Sequence, residues 1–180
     1  MSVTSSAPTT APSTGRSIAV GCLALVAVVA IAGLGVLAND GNTDGWYADA
    51  EKVAWSPPNW LFGPAWSFLY FLIALAGWLI WRAGYRGAGT PNAAQGVVAI
   101  YVVQLLLNCA WSPTFFAGYP AWGAPAWWIA LAIIVALDVV VAVLILQARR
   151  FSTLAAWALV PYLGWILFAT TLNIGVAVLN

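Results

Sequence analysis

Long uncharged apolar runs dominate the chain and are separated by short polar segments. Residues 17–39 form one such run, and residues 57–81 form another. A helix that crosses a bilayer needs about 20 apolar residues, at a rise of about 1.5 Å each. Only helices and closed barrels satisfy the backbone in lipid, and these runs lack the short alternation of barrel strands. Each run therefore predicts one membrane-spanning helix.

A third uncharged run, residues 87–137, is too long for a single span. It contains four residues that interrupt helices, namely Gly118, Pro120, Gly123 and Pro125. We expect two helices on either side of this cluster and a last helix in the apolar C-terminal segment. The pattern thus predicts an all-α integral membrane bundle of five helices, at about residues 17–39, 57–82, 94–116, 122–147 and 152–178.

The first 16 residues are rich in Ser, Thr, Pro and Ala and show no periodic apolar face. They predict a disordered tail ahead of a membrane domain over residues 17–180. The alternative for the first apolar run is a cleaved signal peptide, with Arg16 as its basic start and Val36-Leu37-Ala38 as its cleavage site. We favour a retained helix, because the run is longer than the apolar core of a usual signal peptide.

The few charged residues differ in sign between the loops. Arginines precede the first helix and occupy the loops after the second and fourth, as Arg16, Arg82, Arg86, Arg149 and Arg150. The loop after the first helix holds four acids and one lysine, Asp40, Asp44, Asp49, Glu51 and Lys52. Basic loops favour the cytoplasm. We therefore expect a bacterial cytoplasmic membrane, with the N-terminus and the tail inside and the C-terminus outside.

Composition narrows the chemistry further. Charged residues make up 6% of the chain, against roughly a quarter in soluble proteins, so lipid is its main solvent. There is no histidine, and the two cysteines fall inside predicted spans without metal-ligand spacing. The sequence also lacks a phosphate-binding glycine loop and a basic nucleic-acid surface. We expect no metal, no cofactor and no nucleic-acid partner, and the composition does not favour a conventional hydrolase, kinase or haem enzyme.

Tryptophan is the abundant functional residue, with twelve copies. An aromatic belt at the membrane surface explains Trp78, Trp81 and Trp157. Trp165 is mid-helix, and the other eight gather at or near the predicted outer end: Trp46, Trp55, Trp60, Trp66, Trp111, Trp122, Trp127 and Trp128. Aromatic walls with few polar groups suit a flat apolar ligand. The polar residues Gln104, Asn108 and Asn173 inside predicted helices either join helices or contact that ligand.

Three tryptophan-anchored strings carry a resemblance to a known family. They are WYADAEKVAWSPPNWLFGPAWSFLY at residues 46–70, YVVQLLLNCAWSPTFF at 101–116 and PYLGWILFATTLN at 161–173. In this order, over roughly residues 46–180, the chain resembles the TspO/MBR family of translocator proteins, tryptophan-rich sensory proteins and peripheral-type benzodiazepine receptors. The resemblance implies a five-helix bundle, often a homodimer, that acts as a membrane receptor or sensor.

The resemblance also implies a pocket for porphyrins, haem-like tetrapyrroles and drug-like aromatic ligands. In the family, the loop between helices 1 and 2 covers the pocket, which makes Trp46, Tyr47 and Trp55 lid residues here. The family's pocket residues correspond to Trp66, Asn108, Trp111, Trp165, Ala169 and Leu172.

Two alternatives to a receptor remain at this stage. Some bacterial family members degrade porphyrin through two tryptophans, which resemble Trp66 and Trp165, so light- or oxygen-dependent protoporphyrin degradation is one alternative. A tetrapyrrole transporter is the other, ranked lower because transporters usually contain internal repeats. The longer spacing before helix 4 leaves its pocket tryptophan open among Trp122, Trp127 and Trp128.

The chain departs from the family pattern in several places. Lys52-Val53 replaces the lid's usual Lys-Pro, and no basic residue follows Tyr162 to complete the sterol motif of animal members. Asp138 is the only acid within a predicted span. We expect it to be neutral and hydrogen-bonded to a neighbouring helix, because an ionised carboxylate near the bilayer midplane is costly.

Overall fold

A computed structural model describes residues 11–180. Residues 1–10, most of the tail expected from the sequence, lie outside the described residues. The described residues are mainly helical and contain no strand, and five of their helices are long and apolar enough to cross a membrane. The prediction of an all-α membrane bundle with five spans is confirmed.

Seven α-helices follow one another over residues 11–180. They are α1 (Thr14–Asn39), α2 (Trp46–Asp49), α3 (Phe62–Ala83), α4 (Gln95–Ser112), α5 (Gly118–Trp122), α6 (Pro125–Ala148) and α7 (Thr153–Leu179). A 3-10 turn, Asn59–Leu61, precedes α3, and a π-helical turn, Pro113–Ala117, joins α4 to α5. The first span is α1, and the second is α3 together with the 3-10 turn before it. The third span runs from α4 through the π-helical turn into α5. The fourth span is α6 and the fifth is α7.

Side chains at the helix ends explain two of the boundaries. The Ser13 hydroxyl accepts a hydrogen bond from the backbone N–H of Arg16, so α1 begins at Thr14, three residues before the predicted start. Ser152 caps α7 in the same way, through the N–H of Ala155 at 3.2 Å.

The predicted break after residue 116 is displaced in the structure. The helix continues past Gly118 and Pro120 to Trp122 and ends at Gly123, whose φ of 67° favours glycine. Pro113 has no N–H for the preceding turn, and the backbone accommodates it in the π-helical turn rather than ending the helix. The third span is therefore about six residues longer at this end than expected from the sequence.

The helices form a closed ring. α1 packs against α3 and α4, α3 packs against α7, and α6 packs against both α4 and α7. At the end of the bundle that carries the arginine loops, the Trp78 indole lies on Gly21 and donates to the Ser17 carbonyl at 3.0 Å. The other end carries α2 and the loop around it, and we call it the lid end.

Candidate functional site

A cavity of about 380 Å³ lies at the lid end of the bundle. This volume is within the usual range of small-molecule sites. Its walls come from α1, α3, α4, the π-helical turn and α7, with one residue each from α2, the 3-10 turn and the loop after α1. The lining residues are Ala32, Gly35, Val36, Asn39, Thr43, Tyr47, Asn59, Phe62, Gly63, Trp66, Ser67, Tyr70, Asn108, Trp111, Ser112, Phe115, Phe116, Ala169, Leu172 and Asn173.

Aromatic rings form stacked pairs on two of the walls. Trp66 and Tyr70 on α3 lie with ring centres 5.2 Å apart, and Trp111 and Phe115 lie 5.6 Å apart. The members of each pair are four residues apart, so successive helical turns bring them to the same face. Both walls therefore present flat apolar surfaces to the cavity.

Asn108 is buried at the base of these walls and joins three helices. Its amide oxygen accepts a hydrogen bond from the Tyr70 hydroxyl at 3.1 Å, and its nitrogen donates to the Tyr162 hydroxyl at 2.9 Å. Tyr162 in turn donates to the side-chain oxygen of Gln104 at 3.1 Å. Asn108 therefore joins α3, α4 and α7, which is one of the two roles considered from the sequence, and it also lines the cavity.

A second amide fixes the Trp111 ring. The indole N–H of Trp111 donates to the side-chain oxygen of Asn173 at 3.2 Å, and the Asn173 nitrogen donates to the Trp127 carbonyl at 3.0 Å. These bonds connect α4, α7 and α6. Asn173 is polar in an apolar helix, which is a visible signal, but its pairing with Trp111 spans 62 residues and has no local signature.

The start of the lid is held by an aromatic cluster. The Trp46 indole N–H donates to the Phe116 carbonyl at 3.1 Å. Pro120 has no N–H to offer this carbonyl four residues before it, so the acceptor is available to the lid. The Trp46 ring also lies 4.5 Å from Tyr119 and 5.5 Å from Trp127.

Tyr47 forms the inner surface of the lid. Its ring is 6% exposed, lies 5.3 Å from the Phe116 ring and lines the cavity. Burial raises the pKa of its hydroxyl, which therefore stays neutral at physiological pH. The Lys52 ammonium lies 4.7 Å from the centre of the ring, in cation–π geometry.

The far part of the lid is attached to α7. The backbone N–H of Glu51 donates to the Asn180 side-chain oxygen at 2.9 Å, and the Asn180 nitrogen donates to the Glu51 carbonyl at 3.0 Å. Val53 packs against Gly175, where a Cβ atom would collide with it. The Trp55 indole donates to the Thr171 hydroxyl at 3.2 Å while its ring is largely exposed, so Trp55 anchors the lid without lining the cavity.

With this geometry established, comparison with known proteins identifies the family. The family model described as TspO/MBR matches residues 22–179. The chain belongs to the TspO/MBR family.

Individual relatives agree with this assignment. The chain is 40% identical over 157 residues to the tryptophan-rich protein TspO of Archaeoglobus fulgidus, covering 87% of this chain and 94% of the relative. It is 36% identical over 128 residues to the human translocator protein, covering 71% and 70%. It is 35% identical over 137 residues to the tryptophan-rich sensory protein of Cereibacter sphaeroides, covering 76% and 78%.

Five of the six ligand-binding residues inferred from the TspO/MBR resemblance line the cavity together, namely Trp66, Asn108, Trp111, Ala169 and Leu172. Trp165 is not among the lining residues of this cavity. Its ring lies 5.9 Å from Phe62, which forms part of the cavity wall, and 5.8 Å from Phe168. It faces a separate groove between α3 and α7, so Trp66 and Trp165 do not share a cavity.

Three further residues left open by the sequence now have positions. Trp127 is buried and stacks on Tyr119 at 4.3 Å beneath the lid, whereas Trp122 and Trp128 are exposed. None of these three tryptophans lines the cavity. Asp138 accepts a hydrogen bond from the Thr170 hydroxyl at 2.8 Å, which gives the expected link to a neighbouring helix, and it lies outside the cavity lining.

Several lining residues were not anticipated. Ala32, Gly35 and Asn39 come from α1, whose apolar pattern is too uniform to mark an inner face. Asn39 also accepts a hydrogen bond from the Ser112 hydroxyl at 3.3 Å. Within the described residues, no group of three or more His, Cys, Asp or Glu side chains is placed to hold a metal.

Proposed function

We propose that this TspO/MBR protein is a membrane receptor or sensor that binds porphyrins and related flat apolar ligands in the lidded cavity. The observation that carries the proposal is the composition of the cavity wall. It combines the two stacked aromatic pairs with a few amides and hydroxyls, and none of the lining residues described is charged. A flat conjugated ring gains contact area from aromatic walls, and sparse polar groups fix its orientation.

Family membership supports the same proposal. The relative from Cereibacter sphaeroides is named a tryptophan-rich sensory protein, which agrees with a sensory role. The separation of Trp66 from Trp165 gives no support to a reaction that uses both rings.

Titration of the purified protein with protoporphyrin IX tests this function. We expect saturable quenching of tryptophan fluorescence, and an absorption spectrum of the bound porphyrin that is the same in light and in darkness. Trp66→Ala should weaken binding by about fivefold or more, since an aromatic contact contributes about 1 kcal/mol beyond the area it buries. Trp157→Ala is the matched control, because this α7 tryptophan is 67% exposed and lies outside the cavity. Equal effects of the two substitutions, or no saturation, would exclude the proposed site.

We also propose that the protein lies in a bacterial cytoplasmic membrane with the lid end outside. The arginine loops and the acidic lid loop support this orientation. After Cys22 and Cys109 are replaced by serine, Asp44→Cys should react with an impermeant maleimide from outside, and Thr90→Cys only from the cytoplasmic side. The reverse pattern would invert the orientation.

A homodimer is the assembly that we propose, on the family resemblance alone. Light scattering of the protein in detergent should give twice the mass of the chain after subtraction of the detergent. A single-chain mass in both detergent and lipid nanodiscs would reject it.

A further inference from the structure

The cavity is exposed mainly on one side. Val36 on α1 is 70% exposed although it lines the cavity, and Gly63 and Ser67 on α3 are also exposed lining residues. By contrast, the lining residues from α7, among them Ala169 and Leu172, are buried. The opening therefore faces outward between the lid-end parts of α1 and α3, and we call this region the mouth.

The mouth extends into the depth of the membrane. Val36 lies three residues before the end of α1 at Asn39, and Ala32 lies seven residues before it, which correspond to about 5 Å and about 10 Å along the helix. Two of the residues at its edges are glycines, Gly35 and Gly63, and there is open space beside them. A Cβ atom at Gly63 would meet nothing within 4 Å, and one at Gly35 would meet only the Ser112 hydroxyl at 3.7 Å. The side chains along this edge leave room for a flat ligand.

The lid covers the cavity on the side that faces water, in contrast to the open mouth. The lid is attached to the π-helical turn through Trp46 and to α7 through Glu51, and the buried Tyr47 forms its inner surface over the cavity. The exposed surface of the lid also carries its four acids, Asp40, Asp44, Asp49 and Glu51. An anionic solute that approaches from water meets like charges and a covered entrance, whereas a solute dissolved in the bilayer meets the mouth directly.

We propose that ligands reach the cavity from within the bilayer, through the mouth between α1 and α3, and that the site selects ligands that partition into membranes. The porphyrin part of this inference rests on the proposed function. Within the porphyrins, the inference favours esterified or sparsely charged rings over highly carboxylated ones.

Binding rates in lipid nanodiscs test the route. Protoporphyrin IX dimethyl ester, which carries no charge, should bind saturably, whereas uroporphyrin, which carries eight carboxylates and stays in water, should bind at least about tenfold more slowly. Gly63→Leu should slow association and dissociation of the ester by about tenfold, because the new side chain occupies the mouth. Gly33→Leu is the matched control: this exposed α1 glycine also has open space at its Cβ and lies outside the lining. Ser67→Leu serves in place of Gly63→Leu if the latter does not fold.

A second measurement needs no porphyrin. With Cys22 and Cys109 replaced by serine, Leu172→Cys places a thiol on the buried α7 wall of the cavity, and bilayer-dissolved pyrene maleimide reports its access by fluorescence. Gly63→Leu should slow labelling by about tenfold and Gly33→Leu should not. If Gly63→Leu slows labelling but the protein binds no porphyrin, the route through the mouth would be supported and the proposed function rejected.

Three results would overturn the route. One is the absence of labelling in the Leu172→Cys variant whose mouth is otherwise unchanged. Another is porphyrin binding with rates that Gly63→Leu leaves unaltered. The last is a faster association when Trp46→Phe loosens the lid, together with uroporphyrin binding as fast as the ester.

Discussion

The two ends of the bundle are built from different kinds of side chain. Away from the lid, helices meet through small residues: Ala148 and Ala155 are fully buried, and Gly77 lies directly against the Tyr101 ring. At the lid end, aromatic rings and amide hydrogen bonds occupy the spaces between helices. Small residues let backbones approach closely, whereas large rings that are held by hydrogen bonds leave room between them. The cavity therefore depends on which side chains lie between the helices at the lid end, and not only on the helical arrangement that both ends share.

This difference implies that the stability of the fold and the affinity for a ligand depend on different ends of the bundle. In lipid, apolar side chains gain little from leaving the solvent, so packing and interhelical hydrogen bonds stabilise the bundle. The closely packed end supplies the packing, while the lid end supplies the cavity. We expect substitutions at the first end to change mainly stability, and substitutions at the second to change mainly affinity.

The largest effect on stability is expected from Gly77→Val. A side chain at this position collides with the Tyr101 ring, whose hydroxyl donates to the Ile73 carbonyl at 3.1 Å. Overpacking of this kind costs about 1–3 kcal/mol, to be measured by thermal and denaturant unfolding in detergent. Gly96→Val is the control, because a Cβ atom there meets nothing within 4 Å. Equal stability of the two variants would show that close packing is not what distinguishes this end.

Asn108→Ala should affect both properties. It removes the hydrogen-bond partner of Tyr70 and one of Tyr162, and bonds of this kind between membrane helices contribute about 0.6–2 kcal/mol. Because Asn108 also lines the cavity, protoporphyrin affinity should fall with the stability. A variant that unfolds earlier but binds porphyrin as tightly would assign Asn108 to structure alone.

Trp46→Phe should have a smaller effect, confined to the lid end. The substitution keeps an aromatic ring but removes the bond to the Phe116 carbonyl, and a hydrogen bond of this kind contributes about 1 kcal/mol. We expect the porphyrin Kd to rise by at most about fivefold, with little change in the unfolding temperature. Trp60→Phe, at a 71% exposed position, is the control and should match the unaltered protein. A large loss of stability would make the lid a structural element.

The smallest effect is expected from Asp138→Asn. The amide oxygen can still accept the hydrogen bond from Thr170, and the residue lies outside the cavity lining. Affinity and unfolding temperature should both stay close to those of the unaltered protein. A loss of porphyrin affinity with stability intact would place Asp138 in the site.

The spans could be predicted because the length of an apolar run is visible in the local sequence. Their boundaries were harder to predict, because they also depend on contacts with residues far away in the sequence. Pro120 reads as a helix breaker, yet the carbonyl that it leaves free is bonded by Trp46, which is 70 residues away from Phe116. Such a partner has no trace in the neighbouring sequence. The helix consequently runs on to Gly123, where the positive φ ends it.

The site was predicted to a similar extent. The motif strings pointed to Trp66 on α3, to Asn108 and Trp111 on α4, and to Ala169 and Leu172 on α7, which line the cavity together. They did not single out other lining residues of these helices, such as Tyr70 and Ser112. They did not locate Gly35 on α1, because small apolar residues are common in that helix. Trp165 stays a prediction as a ligand contact, because its ring packs against Phe62 at the cavity wall, a contact that the sequence does not show.

The bond between Trp46 and Phe116 also bears on the order in which the protein is made. Trp46 follows the first helix out of the ribosome before its acceptor is available, because Phe116 comes 70 residues later. Its ring further requires Tyr119 and Trp127, and the far part of the lid requires Asn180, which follows the last helix. The lid therefore cannot close fully on a nascent chain that still lacks these partners. A ribosome-stalled chain that ends before Phe116 should leave Trp46 accessible to solvent quenchers, and closure should mark the insertion of the last helix.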